Sequence, residues 1–197
     1  MSRIKKLDLD DWDKELREMT AADSGTPLEQ GAMRMFAHTP EISKGLTAFA
    51  GSLKQNRSLP DRLVELVRLR VAFHNQCRSC MAIRYKDGQE DGITEDLVCS
   101  LEKPMEAKNL SDAEKAAIHY GELFATNHLA INDATYDNLR KYFSEAEIVE
   151  LSMTVAFFVG FGRLAASYHM VEELPDSFQV SEEETLTPWN NDSVIVR

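Results

Sequence analysis

Two helix-start signatures, Ser111-Asp-Ala-Glu114 and Ser144-Glu-Ala-Glu147, and the near absence of strict apolar/polar alternation constrain this chain to a succession of helices. In each signature the serine hydroxyl and the glutamate carboxylate reciprocally satisfy backbone N–H groups that a first helical turn leaves free. Apolar residues then recur at helical spacing. Ala116, Tyr120 and Leu123 follow the first box. Ile148, Leu151, Val155 and Phe158 follow the second, whose helix is expected to reach about Val171. Upstream, Trp12, Leu16 and Met19 mark one face of a first helix, and Leu28 to Ala37 a short one. Thr39 caps a further helix with Pro40 at its first position and Ile42, Leu46, Phe49 and Leu53 inward. Ser58-Leu-Pro-Asp61 opens a helix through about His74, and another is expected from about Cys77 to Gln89. Thr94 caps a short helix over 95–101, and Tyr136, Leu139 and Phe143 belong to another. Beyond Pro175 the periodicity is lost, and the segment reads as an acidic extended tail with Trp189 and Val194 as its packing residues. The expected fold class is all-α, a single-domain helical bundle.

Composition narrows the function. The chain has 197 residues, enough for one hydrophobic core. Its 22 Lys+Arg against 33 Asp+Glu give a net charge of −11. A field of that sign repels phosphate backbones and anionic lipid, so neither nucleic acid nor membrane is an expected partner. The most apolar stretch, MTVAFFVGF at 153–161, falls short of the ~20 residues a membrane span needs. The first residues turn acidic where a secretory signal turns apolar. Cys77, Cys80 and Cys99 are too few for the disulfide framework of a secreted scaffold, so a reducing cytoplasm is the expected location.

The most informative stretch is HNQCRSCMAIR (74–84). Cys77 and Cys80 stand at i and i+3, one face of a helix start, with an expected Cα separation of ~5 Å that a disulfide accepts. A helix N-terminus favours thiolate, the species that attacks a peroxide or another disulfide. Arg84, four residues on, is expected one turn away on the stripe of Cys80, either lowering its thiol pKa or standing as a surface cation. Glu65 and His74 are the candidate proton carriers. Each has a plainer reading: Arg62, Glu65 and Arg68 share a helical line that resembles a solvated salt-bridged face, and His74 suits a helix C-terminus. Cys99 reads as an inert buried thiol, and His119 as a histidine packed against the core. Gly160 and Gly162 in VGFGR suit close helix packing.

RLVELVRLRVAFHNQCRSCMAIR resembles the core motif of alkylhydroperoxidase D-like proteins of the carboxymuconolactone decarboxylase superfamily. Glu65, Cys77 and Cys80 match its glutamate, twelve residues before the first cysteine, and its CxxC; Asn75 matches the asparagine often found just before the pair. The similarity extends over about 30–170, through AHTPEISKGLTAF, LSDAEKAAIHYGELFA and YFSEAEIVELSMTVAFFVGFGRLAA. On this basis 1–27 is an N-terminal helix and linker, 28–174 the alkylhydroperoxidase D-like helical domain, and 175–197 the acidic C-terminal tail. The resemblance implies a homo-oligomer, trimer or hexamer, and a thiol peroxidase without a cofactor. Cys80 would attack the O–O bond of a peroxide substrate. Cys77 would donate a proton and resolve the sulfenic acid as an intramolecular disulfide, and Glu65 would relay protons. A dithiol or lipoyl-type protein would return the reducing equivalents. One departure stands out: the family's usual histidine four residues after the second cysteine is Arg84 here.

Two other classes stay open. A lactone decarboxylase needs an acid/base group and a cation for the substrate carboxylate, for which Arg84 is a candidate, but not two thiols. A zinc or redox-sensor module would use His74, Cys77, Cys80 and Glu65, although successive helical turns converge poorly on a tetrahedral ion.

Overall fold

The computed structural model describes residues 2–181 and 183–196. Helices dominate: α1 (Lys14–Met19), α2 (Pro27–Gln30), α3 (Met33–Phe36), α4 (Pro40–Gln55), α5 (Asp61–Asn75), α6 (Arg78–Ala82), α7 (Lys86–Glu90), α8 (Glu95–Cys99), α9 (Asp112–Thr126), α10 (Asp133–Leu139) and α11 (Glu145–Tyr168). Both capping boxes form as read, at Ser111–Glu114 and Ser144–Glu147. The fold is an all-α bundle centred on α5, whose Leu63, Val64, Leu66, Val67, Leu69, Val71 and Ala72 are all buried. Helices α9 and α11 pack against it, and Glu65, Arg68 and Asn75 are buried with its apolar residues.

Small residues let these helices approach. A Cβ on Gly121 of α9 would lie 3.1 Å from Val67 Cγ1, and one on Gly162 of α11 only 2.5 Å from Asn75 Nδ2. Gly160 faces open space, so only the second glycine of VGFGR serves close packing. Asn75 Nδ2 donates to the Phe158 carbonyl at 3.0 Å, and Arg163 Nε donates to Asn75 Oδ1 at 3.2 Å. Gly162→Ala is therefore expected to push α11 off α5 and destabilise the protein by about 1–3 kcal/mol. Urea unfolding of the variant measures this; a midpoint equal to wild type would mean Asn75 can turn aside at no cost.

Several expected faces differ. Trp12 and Leu16 are buried but Met19 is exposed. On α4, Ile42 and Phe49 lie at the surface, Leu46 and Leu53 are half-buried and Ser43 is the buried residue, so this chain covers the apolar stripe only in part. His119 is exposed while its neighbours Ile118 and Tyr120 are buried, a phase one residue away from the expected one. Cys99 is half-buried against the core, with Sγ 3.6 Å from Asn190 Oδ1. α11, at 24 residues, is long and apolar enough by length and composition to cross a membrane, which the shorter apolar window did not anticipate. Its Ile148, Leu151, Val155 and Val159 are buried in the core, and its first turn carries Glu145 and Glu147.

The largest departure concerns the helix expected over 77–89. It breaks after Ala82, and Ile83–Tyr85 form a strand, β1. β1 pairs in parallel with β2 (Val194–Val196), Ile83 opposite Val194 and Tyr85 opposite Val196. The described part of the C-terminal segment is thus folded down. Gln76 exchanges two hydrogen bonds with the Leu186 backbone. Arg78 donates to the carbonyls of Phe178, Val180 and Ser181. Trp189 is buried, its ring 4.9 Å from that of Phe73. The β-branched and aromatic residues at 83–85 suit a strand once a partner offers its backbone.

The N-terminal segment is tied down by charge. Lys6 pairs with Glu172 and Glu173, Arg34 pairs with Glu173, and the Ser2 N–H donates to Glu172. Burial works against the Glu172 carboxylate, but Lys6, its own backbone N–H and that of Ser2 lower its pKa to about 2. The unfolded value is about 4.3. A depressed folded pKa contributes stability that is complete above the unfolded value and lost as pH falls toward the folded one. Between about pH 4.5 and 2 the amides of Arg3 and Leu7, which donate to Tyr168 and Arg34 carbonyls, are expected to lose hydrogen-exchange protection before α5 does. Protection unchanged down to pH 2 would show that the segment is held by packing alone.

Candidate active site

Cys77 and Cys80 are joined as a disulfide, with Cα atoms 5.2 Å apart. The turn that presents them begins where α5 ends. Gln76 takes a left-handed conformation at φ 49°, which closes the helix, and the Cys77 N–H returns to the Ala72 carbonyl at 3.2 Å. Cys77 caps α6 and Cys80 is its third residue. α6 has only five residues, so few peptide dipoles align on the pair and its helix end supplies less field than the sequence suggests.

The two sulfurs are not equivalent. Cys77 is wholly buried. Cys80 lines a cavity of about 730 Å³, within the range of small-molecule sites. The cavity runs from the α2–α3 region to α11, with apolar walls that include Met33, Phe36, Leu46, Phe157 and Phe161. Ser79, Tyr85 and Arg68 bring polar groups to the same wall as Cys80.

Glu65 is buried beneath this wall, in a bidentate pair with Arg68: Nε to Oε2 at 2.6 Å and Nη2 to Oε1 at 2.7 Å. Arg68 also donates to the Cys80 carbonyl at 2.6 Å and the Ile83 carbonyl at 2.8 Å, which satisfies acceptors at the end of the short α6. Its guanidinium lies 4.9 Å over the Tyr85 ring. Burial opposes the charge on Arg68, but the adjacent Glu65 carboxylate outweighs it and raises the pKa above the ordinary arginine value. Gly88 permits this packing: a Cβ there would stand 3.0 Å from Glu65 Cγ. Glu65 and Arg68 are therefore a buried pair rather than part of a solvated face, while Arg62 is half-buried and turns instead to Glu114.

The structure does not bring Arg84 or His74 to the thiols. Because β1 interrupts the helix, Arg84 leaves the stripe of Cys80 and is completely buried on the tail side. It donates to the carbonyls of Met81, Ile83 and Pro188 and to Glu95. These contacts occupy its five N–H groups. His74 sits 3.2 Å from Glu122 Oε1, a carboxylate also held by Arg70. Burial raises the Glu122 pKa, but the bonds from His74 and Arg70 outweigh it and lower the pKa overall. Among the described residues no group of three His, Cys, Asp or Glu side chains is gathered in a way that could hold a metal. Arg68 and Tyr85 were missed by sequence reasoning. The one available signal was the i, i+3 spacing of Arg68 from Glu65.

The helical bundle thus presents a CxxC disulfide beside a largely apolar cavity. Residues 40–123 match the carboxymuconolactone decarboxylase family. The matched segment includes Glu65, Cys77 and Cys80. Its fold is similar to that of an alkylhydroperoxidase AhpD core, an uncharacterized peroxidase-related protein from Ralstonia eutropha JMP134. The TM-score is 0.70 at 18% identity, over 90% of this chain and 94% of that one. A protein of unknown function from Agrobacterium tumefaciens superposes with a TM-score of 0.59 at 22% identity, over 70% of this chain and 93% of its own. Two uncharacterized proteins of Mycobacterium tuberculosis, from strains CDC 1551 and H37Rv, are 30% identical over 121 residues, 60% of this chain. The match covers only 42% of the length of those relatives.

Proposed function

We propose that this protein is a thiol-dependent peroxidase in which Cys80 is the attacking residue and Cys77 resolves. The observation that carries this reading is the asymmetry of the disulfide, Cys80 against the cavity and Cys77 enclosed. The Cys80 thiolate attacks a peroxide oxygen; an S–O bond forms as the O–O bond breaks, and the alcohol leaves after taking a proton. The Cys77 thiol then attacks the Cys80 sulfur, so that the S–S bond forms and water departs. Two electrons and two protons from an external dithiol, a dithiol protein or a lipoyl-type carrier, restore both thiols. A reducing cytoplasm suits this cycle. Glu65 serves as the fixed counter-charge of Arg68. Homo-oligomer formation, as a trimer or hexamer, would cover the apolar residues left at the surface of α4 and α11, among them Ile42, Phe49, Val149 and Met153.

The test is peroxide consumption by the reduced protein, with mass-spectrometric thiol mapping before and after. Wild type is expected to consume peroxide and form the Cys77–Cys80 disulfide. Cys80→Ser is expected to lose turnover entirely. Cys77→Ser should complete one attack and stop with an oxidised Cys80. Persistent peroxide with both thiols still reduced in wild type would remove the peroxidase reading. Lactone decarboxylation retained in a Cys77→Ser/Cys80→Ser protein would favour the decarboxylase chemistry of the family's name.

A further inference from the structure

The peroxidase cycle needs a cation that stabilises a thiolate, and Arg84 is committed elsewhere. Arg68 is the buried cation that the cavity does present. Its guanidinium is oriented by contacts on two sides: Glu65 holds Nε and Nη2, while the Cys80 and Ile83 carbonyls hold Nη1 and Nη2. Arg68 lines the cavity with Cys80, whereas Glu65 does not. The pair is therefore a dipole with its positive end at the cavity wall, in surroundings where charge is weakly screened.

The other charged groups around the cavity are compensated. Lys6 and Arg34 pair with Glu173, and Lys54 pairs with Asp87. Glu29 accepts from the Thr26 N–H in the cap of α2. Within α6, Arg78 is turned to the carbonyls of the C-terminal segment. On the far side of α5, His74 is held by Glu122. The Tyr85 phenol, whose ring underlies the guanidinium, is the other titratable neighbour.

We propose that Arg68 is the positioning residue of the Cys80 site: held by Glu65, it fixes the turn that carries Cys80 and sets the field that favours the Cys80 thiolate. The inference rests on Cys80 being the reactive thiol, as in the peroxidase reading, but its readout does not require peroxide. Arg68 never releases its proton under ordinary conditions, so it acts through charge and hydrogen bonds, not proton transfer.

The experiment follows iodoacetamide alkylation of the reduced protein as a function of pH, with peptide mapping to separate Cys80 from Cys77 and Cys99. Removing the guanidinium in Arg68→Gln is expected to raise the alkylation midpoint of Cys80 by about one unit or more, and to slow its labelling at pH 7 about tenfold. Arg68→Lys, which keeps the charge, should restore most of the shift. Glu65→Gln, which leaves the cation without its counter-charge, should move the midpoint down. Cys99 serves as the internal reference, with an unmoved profile. If Arg68→Gln fails to fold, Glu65→Gln/Arg68→Met removes both charges together and carries the same expectation of a raised midpoint. A folded variant without the guanidinium whose Cys80 midpoint equals that of wild type overturns the proposal. So does an upward shift in Glu65→Gln. A midpoint controlled by Arg68 in a protein that consumes no peroxide would sustain this inference while removing the peroxidase reading.

Discussion

Replacing Arg84 by histidine, the residue usual at this place in the alkylhydroperoxidase D-like motif, is expected to destabilise the protein by about 2–4 kcal/mol and to leave thiol reactivity no higher. An imidazole offers at most two N–H donors where the guanidinium uses five. The carbonyls of Met81 and Pro188 would each lose a partner in a site with no solvent access at Arg84, while the Ile83 carbonyl keeps its bond from Arg68. Each buried acceptor left unsatisfied costs about 1–3 kcal/mol. The Glu95 pair adds little, since that carboxylate is half exposed. Damage should concentrate where Arg84 ties the tail: β1, β2 and the segment around Pro188 should exchange amide hydrogens faster than α5 or α9. Urea unfolding and residue-resolved exchange would measure both effects. A variant as stable as wild type that labels faster at Cys80 would reinstate position 84 as part of the thiol chemistry.

Glu65→Ala is expected to have the largest effect on stability of any single substitution at the site, a loss of about 3–5 kcal/mol, because it leaves the Arg68 cation buried without its counter-ion. The loss is electrostatic rather than a matter of volume. A second change to Arg68→Leu should therefore recover a substantial part, since neither variant then buries an unpaired charge. The double-mutant cycle from chemical denaturation tests this. A Glu65→Ala loss below about 1 kcal/mol would return the pair to the rank of a solvated surface bridge.

Both predictions concern residues whose types were conspicuous in the sequence but whose surroundings were not. Glu65 and Arg68 share a helical face, and that spacing alone fits a solvent-facing ion pair as well as a buried one. Enclosure followed from α6 and β1 folding over α5 and setting the Cys80 and Ile83 carbonyls against the guanidinium. Arg84 shows the reverse. Helical extrapolation from Cys80 aimed it at the thiol, but the strand pairing of Ile83–Tyr85 with Val194–Val196 turned it away. The partner strand lies more than a hundred residues downstream, in a segment without periodicity.

The sequence by itself determined the helical class, the two capping boxes and the Cys77–Cys80 pair, because these depend on interactions spanning one or two turns of a single helix. Only the tertiary structure decided which cysteine meets the cavity, which buried arginine lines it, and that the described C-terminal segment straps the CxxC turn. Those outcomes depend on contacts between segments far apart in the chain, where burial turns what reads as a surface ion pair into an enclosed one beside the cavity.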